Sequence, residues 1–340
     1  MMKKQGNTYC FDDPPRVLSY ASVVGKKEGE GPLSRDFDYI SNDNTFGEQT
    51  WEKAESRMMS MAFERVLNKG QLPPEQLGCV LGGDLLNQCI STTFALRPTN
   101  VPFFGLYGAC STMAEGLVLA ACLVDGGFER TVCAITSSHF CAAERQYRYP
   151  LEYGGQRPQT AQWTATASGA VVLHKGGKGV KITKATPGRI ADPGVTAQTN
   201  MGAAMALSAY ETLQTYFQDT KTGPTDYDLI VTGDLGALGH AIVTDLFRRD
   251  GVDLSRNYQD CGLLLYDLEK QDMHAGGSGC GCSAAVLNGY LLDGLRRGRW
   301  RRLVFAPTGA LLSPTSSFQG ESVPGICHAV VFSTGKEGET

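Results

Sequence analysis

Apolar residues along this chain alternate between short continuous runs and longer stretches with helical spacing. The runs at Arg16–Val24, Gly78–Leu81 and Thr131–Thr136 predict strands, because buried strands need apolar side chains on both faces. Thr50–Asn68 carries apolar residues every three or four positions, and Cys110–Val124 is apolar almost throughout, so both are predicted helices. Strands that alternate with helices favour an α/β fold with a largely parallel sheet.

The same alternation continues through the second part of the chain. Ala203–Phe217 and Ala241–Phe247 are predicted helices, and a strand is predicted from Val304. Gly176–Val180 is predicted as a turn after a strand that ends near His174, because its glycines favour turns.

Two pairs of segments repeat in the same order, which indicates an internal duplication. Residues 80–85 read Val-Leu-Gly-Gly-Asp-Leu, and residues 230–235 read Ile-Val-Thr-Gly-Asp-Leu. Residues 110–132 and 282–304 both start with Cys-Ser, continue through an apolar stretch to a glycine, and reach a strand after an arginine. Two matches in one order predict a fused pair of similar α/β halves.

The boundary between these halves is predicted within residues 176–200, which are rich in glycine and proline. We assign residues 1–180 to an N-terminal half and residues 181–340 to a C-terminal half. Each half is long enough for a hydrophobic core of its own.

The composition excludes several classes of protein. The 340 residues are 42% hydrophobic and 19% charged, with a net charge of −4, so the chain is neither disordered nor a general nucleic-acid binder. Apolar runs such as Leu117–Val124 are far shorter than the ~18 residues of a membrane span. Met1–Gly6 is not followed by an apolar segment, so we expect no signal peptide.

The cysteines and arginines of the chain indicate neither a disulfide framework nor a metal site. The 11 cysteines are scattered and are predicted to be reduced and mostly buried. Cys280 and Cys282 lie near His274, but their spacing is not that of a zinc site, so we expect no metal and no cofactor. The arginines within residues 296–302 are predicted to form a solvated helix end and turn, with a binding patch as the alternative.

Cys110 is the first candidate for chemistry, since it is predicted at the start of a long helix. The helix dipole and the free backbone N–H groups there lower the pKa of a thiol, and the same amides can hold an oxyanion. The alternative interpretation is a buried packing cysteine.

Polar residues follow the predicted strand Thr131–Thr136. His139 comes soon after the strand, with Arg145 and Arg148 in the next segment. The carboxyl ends of parallel strands border the ligand crevice, and arginine binds carboxylates with paired donors. We predict all three as ligand-binding residues, with a surface loop or a subunit contact as the alternative.

Asp84 and Asp234 end equivalent strands of the two halves. Both are predicted at the mouth of a crevice between the halves, although an aspartate after glycine commonly fixes a loop. His274 precedes a glycine-rich run at residues 275–281, which lacks the ending of a phosphate-binding P-loop. We include Asp84, Asp234 and His274 among the candidate ligand-binding residues.

Four longer motifs resemble the stage V sporulation protein AD (SpoVAD) family of the thiolase-like superfamily. They are Gly-Ala-Cys110-Ser-Thr-Met-Ala-Glu-Gly, Ser138-His-Phe-Cys-Ala-Ala-Glu-Arg-Gln-Tyr-Arg-Tyr-Pro150, Gln162-Trp-Thr-Ala-Thr-Ala-Ser-Gly-Ala170 and His274-Ala-Gly-Gly-Ser-Gly-Cys-Gly-Cys-Ser283. The resemblance covers nearly the whole chain. It implies a five-layer α-β-α-β-α fold made of two duplicated halves.

The resemblance also implies a function in spore formation. Members of the family bind dipicolinic acid (pyridine-2,6-dicarboxylate), as the free acid or its calcium chelate, and support its uptake into the developing spore. They act with other SpoVA proteins in the membrane. We therefore expect a forespore or spore location, peripheral to the inner spore membrane through these partners, and the resemblance leaves a monomer and a homodimer both open.

The chain departs from the condensing enzymes of the thiolase class at several catalytic positions. Cys110 matches their nucleophile, but Thr232–Gly236 contains no histidine, and Gly281 stands where relatives have an asparagine. His274 only partly imitates the histidine turn of thiolases, and Cys327 is not followed by their glycine-rich turn. We expect a binding protein without catalysis; the alternative is an acyltransferase with Cys110 as nucleophile and His274 as base.

Overall fold

Strands and helices alternate through the computed structural model, which describes residues 3–147 and 155–335. The strands are β1 (Lys3–Gln5), β2 (Thr8–Cys10), β3 (Arg16–Val24), β4 (Tyr39–Ile40), β5 (Cys79–Gly83), β6 (Phe103–Gly105), β7 (Thr131–Ser138), β8 (Trp163–Thr164), β9 (Ala167–His174), β10 (Lys181–Thr186), β11 (Leu229–Thr232), β12 (Tyr258–Asp260), β13 (Gly277–Ser278), β14 (Arg302–Ala306), β15 (Thr308–Ala310), β16 (Gly325–Cys327) and β17 (Ala329–Ser333). The helices are α1 (Lys26–Gly29), α2 (Trp51–Gly70), α3 (Ile90–Leu96), α4 (Thr112–Asp125), α5 (Phe140–Tyr147), α6 (Met201–Thr220), α7 (Gly236–Arg249), α8 (Cys261–Leu265), α9 (Cys280–Val286), α10 (Leu292–Arg296) and α11 (Pro314–Phe318).

The main sheet repeats one arrangement of strands in mirrored order. Its path is β12-β11-β14-β17-β10-β3-β9-β7-β5-β6. Strands β5, β6 and β7 are parallel, as are β11, β12 and β14, whereas β9 and β17 run antiparallel to their neighbours. The two arrangements meet where Lys181 of β10 pairs with Arg16 of β3. This order confirms the predicted duplication, while the exact limits 1–180 and 181–340 stay a prediction.

Successive residues of the central strands face different helical layers. Leu81 and Phe305 point into one core together with residues of α4 and α9. Val80 packs instead with residues of α2, and Ile230 packs with residues of α6 and α7. The order of the layers is therefore α2, the part of the main sheet that contains β5, then α4 with α9, the part of the sheet that contains β11, and finally α6 with α7. This is the five-layer α-β-α-β-α arrangement that the sequence predicts.

Most predicted elements agree with the structure within a few residues. β3 spans the predicted Arg16–Val24, and Thr50 caps α2, where its Oγ1 accepts a hydrogen bond from Lys53 N at 3.4 Å. The helix ends at Gly70, and the next residue, Gln71, adopts a left-handed conformation with φ 49°. The predicted start of α4 at Cys110 was wrong, because the helix begins at Thr112.

The longest helices of the described chain, α2 and α6, have 20 residues each, and both pack one face on the sheet. Among the described residues no helix combines the length and apolar character that crossing a membrane requires. The arginine-rich segment follows α10, where Arg296 and Arg297 pair with Asp293 at 2.7 and 2.6 Å. These pairs agree with the predicted solvated helix end.

Candidate functional site

A cavity of about 40 Å³ lies between the two halves, beside Cys110. Its lining comes from both halves of the chain, and includes Leu85, Tyr107, Cys110, Tyr147, Ser278 and Leu312. Small-molecule sites commonly have volumes of roughly 300–1,000 Å³ and mainly apolar walls. The cavity shares the mainly apolar walls of such sites but is narrower, so a small ring compound would enter it only if the walls moved apart.

The backbone around Cys110 is held in a tight turn before α4. Ala109 has a φ of 49°, a left-handed conformation that costs a residue with a side chain some strain. Hydroxyl groups hold this turn: Thr112 Oγ1 donates to Ala109 O at 2.6 Å and accepts from Gly108 N at 3.0 Å. Ser111 Oγ donates to Gly108 O at 2.7 Å. The fixed turn directs the thiol into the cavity.

Asp234 lies next to Cys110 and connects it to residues far along the chain. The Cys110 Sγ is 4.0 Å from Ser278 Oγ, and Ser278 donates to Asp234 Oδ2 at 3.1 Å. Gly279 N also donates to Asp234 Oδ2 at 3.1 Å, and Thr308 Oγ1 donates to Oδ1 at 3.0 Å. The second half thus places a buried, fully hydrogen-bonded carboxyl group behind the thiol of the first half.

Burial decides the protonation of both groups. The pKa of Asp234 is raised to about 7, chiefly by burial and also by the negative charge of Asp260, against hydrogen bonds from Cys110, Gly279 and Thr308 that lower it. Burial also raises the pKa of the Cys110 thiol well above its ordinary value, and the negative charge of Asp234 acts in the same direction. The predicted lowering of the thiol pKa was therefore wrong. Cys110 is a protonated thiol at neutral pH.

Two tyrosines form an aromatic wall of the cavity. The hydroxyl groups of Tyr107 and Tyr147 are 2.9 Å apart, and the Tyr147 hydroxyl also donates to the carbonyl of Leu85. Burial raises the pKa of both tyrosines, so both keep their protons. The two rings thus add aromatic surface to the cavity, and their hydroxyl groups are engaged in hydrogen bonds.

The structure gives Asp84 a structural role. Its carboxylate accepts hydrogen bonds from Leu86 N at 2.9 Å, Thr92 N at 2.7 Å and Thr92 Oγ1 at 2.6 Å. These contacts fix the loop after β5 and the start of α3, and Asp84 does not line the cavity. Of the two predicted aspartates, the structure brings only Asp234 close to Cys110.

The predicted basic residues do not meet Cys110 within the described part of the chain. His139 is buried, with its Nε2 2.8 Å from Asn44 O and its ring 5.5 Å from that of Trp51. Burial lowers the pKa of His139, so it is neutral. Arg145 forms an ion pair with Glu52 on α2. Arg148 lies outside the described residues.

His274 is directed away from the cavity as well. Its Nδ1 is 2.8 Å from Pro158 O and its Nε2 is 3.1 Å from Asp272 Oδ1. The described lining of the cavity contains no histidine. A base at His274 acting on Cys110, as the enzyme hypothesis requires, is not formed in this arrangement.

Gly281 cannot be replaced by the asparagine of related enzymes without moving the backbone. A Cβ atom there would lie 2.3 Å from Ala167 O and 2.6 Å from Ser138 Oγ. Gly281 N already donates to Ser138 Oγ at 3.1 Å. The position is thus closed by β7 and β9.

Sequence reasoning missed Ser278, Thr308 and the tyrosine pair. Ser278 belongs to the glycine-rich run beside His274, and Tyr147 belongs to the polar segment after β7, so both lay within segments already singled out. Tyr107 is close to Cys110 in sequence, which was a usable signal. Thr308 follows β14 without any pattern that marks it, so only the fold identifies it.

The fold and the cavity define a thiolase-like protein. The chain is similar to 3-oxoacyl-[acyl-carrier-protein] synthase III from Aquifex aeolicus VF5, with a TM-score of 0.56 and 12% identity over 94% of this chain and 99% of that chain. An OleA variant of Xanthomonas campestris gives a TM-score of 0.62 and 12% identity over 97% and 99% of the two chains. The chain is also similar to a tetronic acid condensing enzyme, with a TM-score of 0.59 and 17% identity over 94% of this chain and 99% of that chain. At such identities the likeness shows the fold.

The sequence then specifies the family. The pattern of stage V sporulation protein AD (SpoVAD) matches residues 5–333. Stage V sporulation protein AD of Bacillus subtilis (strain 168) is 43% identical over 332 residues, which are 97% of this chain and 98% of that protein. The chain belongs to the stage V sporulation protein AD family, which confirms the resemblance seen in its motifs.

Proposed function

We propose that this sporulation protein binds dipicolinic acid in the cavity beside Cys110 and supports its uptake into the developing spore, without catalysis. The observation that carries the proposal is the cavity itself, which lies between the two halves and has two tyrosines, Tyr107 and Tyr147, in its lining. The planar pyridine ring packs against the side chains of Tyr107 and Tyr147 in this proposal.

The charges around the cavity support the calcium chelate as the bound form. Glu144 lines the cavity, and its described lining contains neither lysine nor arginine. Ca²⁺ neutralises both carboxylates of the chelate, which suits a cavity wall that includes the carboxylate of Glu144. Arg148, which the sequence places four positions after Glu144, is the candidate counter-charge if the free acid binds instead.

The protonation of Cys110 supports a role in binding over one in catalysis. A thiol nucleophile needs a base or a lowered pKa, and here burial and Asp234 raise the pKa. Gly281 has no room for the amide side chain of condensing enzymes. Cys110 then acts as a small apolar part of the cavity wall.

Isothermal titration of the full chain with dipicolinate and with its calcium chelate tests the binding proposal. Tyr107→Ala removes part of the aromatic wall and is expected to weaken binding about tenfold, since base–aromatic stacking contributes ~1–3 kcal/mol. Cys133→Ala is the matched control for Cys110→Ala. Cys133 is also buried, but it lies on β7 and packs in the core with residues of α2, away from the cavity. Unchanged affinity in both Tyr107→Ala and Cys110→Ala would exclude this cavity.

The second candidate function is acyl transfer, and one observation favours it: Cys110 lines a cavity of a fold shared with condensing enzymes. Incubation with acyl-CoA followed by intact-mass measurement tests it. A stoichiometric mass increase that is lost in Cys110→Ala would establish acylation. An unchanged mass, together with chelate binding, supports the binding function.

We further propose that the protein acts peripherally at the inner spore membrane, held by other SpoVA proteins. Membership of the family supports this location. Co-purification of a tagged chain with membranes from sporulating cells, with and without those partners, tests it. Membrane recovery that persists after removal of the partners would contradict attachment through them. Sedimentation analysis decides between a monomer and a homodimer.

A further inference from the structure

A second cavity, of about 220 Å³, lies away from Cys110. Residues of β10, β14 and β17 and the loop between α6 and β11 form its walls, and its described lining shares no residue with the Cys110 cavity. One water molecule requires roughly 10–15 Å³ by this measure. The cavity therefore has room for an ion that carries a small organic group.

The cavity is lined by two cations. Arg302 at the start of β14 and Lys184 on β10 both line it, while its described lining contains no aspartate or glutamate. The carboxylate of Asp228 accepts hydrogen bonds from the backbone N–H groups of Arg301 and Arg302 at 2.7 and 2.9 Å. Within the described residues the Arg302 guanidinium has no ion-pair partner. Among the described residues, Arg302 therefore offers this cavity a guanidinium group that no carboxylate engages.

Hydroxyl groups complete the lining of this cavity. Tyr227 bonds to the hydroxyl of Tyr216 and lies 3.1 Å from Thr222 Oγ1, which in turn is 2.7 Å from Thr220 Oγ1. This chain of hydrogen bonds fixes the hydroxyl groups in place before any ligand arrives. The cavity also presents Thr183 and Ser333, which are 4% and 7% exposed.

We propose that this second cavity binds a phosphate group, either of a small phosphorylated compound or of an anionic lipid headgroup. Arginine offers a planar fork of donors, lysine adds a mobile point charge, and hydroxyl groups donate from other directions. A tetrahedral phosphate accepts hydrogen bonds on several oxygens at once, which suits donors that converge from three strands and a loop. The sequence assigns no role to Arg302 beyond a basic cluster, and the fold separates it from Arg296 and Arg297.

Titration of the full chain with inorganic phosphate, followed by calorimetry, tests the proposal. Arg302→Gln is expected to weaken phosphate binding about tenfold or more, because it removes the charge-assisted hydrogen bonds of the guanidinium group to the phosphate. Arg301→Gln is the matched control, since Arg301 is exposed, makes the same backbone contact with Asp228 and does not line the cavity. Equal affinity of the wild type and Arg302→Gln, or no phosphate binding by the wild type, would overturn the proposal.

A second variant guards against a folding defect in Arg302→Gln. Thr183→Val keeps the shape of the strand residue and removes one donor, so it is expected to weaken phosphate binding several-fold. Cosedimentation with phosphatidylglycerol vesicles, compared with phosphatidylcholine vesicles, then identifies the source. Loss of cosedimentation in Arg302→Gln assigns a lipid headgroup, whereas phosphate binding without cosedimentation assigns a free phosphorylated compound. Retention of chelate binding in Arg302→Gln would show that the two cavities are independent.

Discussion

Asp84 and Asp234 follow equivalent strands of the two halves, yet their surroundings give them different roles. Asp84 bonds to Thr92, eight positions away, and so fixes a local loop. Asp234 bonds to Ser278, 44 positions away, and reaches Cys110 of the other half. The repeat in the sequence predicts the equivalence of the two aspartates. It does not predict this difference, because the deciding contacts are made by distant segments.

The buried Asp234 should make stability depend on pH. Its pKa is raised from the ordinary 3.8 to about 7, so the folded state holds the proton more tightly than the unfolded state. The stability that the folded state gains by holding this proton is fully present below pH 3.8 and is lost as the pH rises through 7. The side chain of the Asp234→Asn variant cannot ionise. Between about pH 4 and pH 8, the free energy of unfolding of this variant should therefore rise by on the order of 4 kcal/mol relative to that of the wild type. Urea unfolding at several pH values measures this.

Asp192→Asn provides the control for this pH dependence. Hydrogen bonds from Ser322 Oγ and Gly194 N lower the pKa of the exposed Asp192. The Asp192→Asn variant should therefore not become more stable than the wild type as the pH rises. If Asp234→Asn and the wild type changed in stability equally from pH 4 to pH 8, the assignment of a protonated carboxyl beside Cys110 would be wrong.

At the scale of elements, two glycines let α9 pack closely on the sheet. A Cβ at Gly169 of β9 would lie 2.5 Å from Ala284 O, and one at Gly281 would lie 2.3 Å from Ala167 O. The high glycine content predicts close backbone approaches of this kind. Which glycines make them depends on how α9 meets β9, which is a tertiary contact that no local pattern encodes.

Gly281→Asn, which introduces the residue of related condensing enzymes, is expected to destabilise the fold by about 3 kcal/mol or more and to create no acyl-transfer activity. The steric reason is the backbone carbonyl of Ala167, which has no alternative position within the sheet. Chemical denaturation and an acyl-CoA assay measure the two effects.

Gly298→Asn is the matched control for Gly281→Asn. Gly298 has a φ of 76° in open space, and asparagine tolerates this left-handed conformation better than most residues. Its effect should stay below about 1 kcal/mol. A stable Gly281→Asn variant would mean that β7 and β9 can yield, and the enzyme hypothesis would regain its missing amide.

Element boundaries show where the sequence is informative and where it is not. The bounds of β3 follow from its apolar run, and the start of α2 follows from the cap at Thr50. The start of α4 does not follow from its apolar run, because Ala109 and the hydroxyl groups of Ser111 and Thr112 extend a turn before the helix. Because the helix begins two residues after Cys110, the predicted lowering of the thiol pKa by the helix start does not follow.

At the scale of the whole molecule, the mirrored sheet explains why the site forms between the halves. Strands β5 and β11 occupy equivalent places on the two sides, so their carboxyl ends bring Leu85 and Asp234 towards the same central crevice. The repeats at residues 80–85 and 230–235 therefore predict both the fold and the location of the cavity. Its charges, aromatic wall and protonation depend on packing and need the structure.

The N-terminal hairpin departs from a simple division into halves. β1 and β2 precede β3 in the chain, but β2 pairs with β10. Asp219, at the end of α6, accepts hydrogen bonds from Asn7 N at 2.7 Å, Thr8 N at 3.0 Å and Thr8 Oγ1 at 2.9 Å. One carboxylate thus holds the start of the chain on the other half.

Asp219→Ala should release this hairpin without unfolding the protein. Loss of three hydrogen bonds to a charged acceptor is expected to cost about 2 kcal/mol and to speed hydrogen exchange at residues 3–10. Exchange in β7, on the far side of the sheet, should stay unchanged. Asp192→Ala removes a comparable but exposed pair of hydrogen bonds and should leave residues 3–10 protected. If Asp219→Ala accelerated exchange equally in β7, the hairpin would be part of one cooperative unit with the first half, and Asp219 would stabilise the whole fold through it.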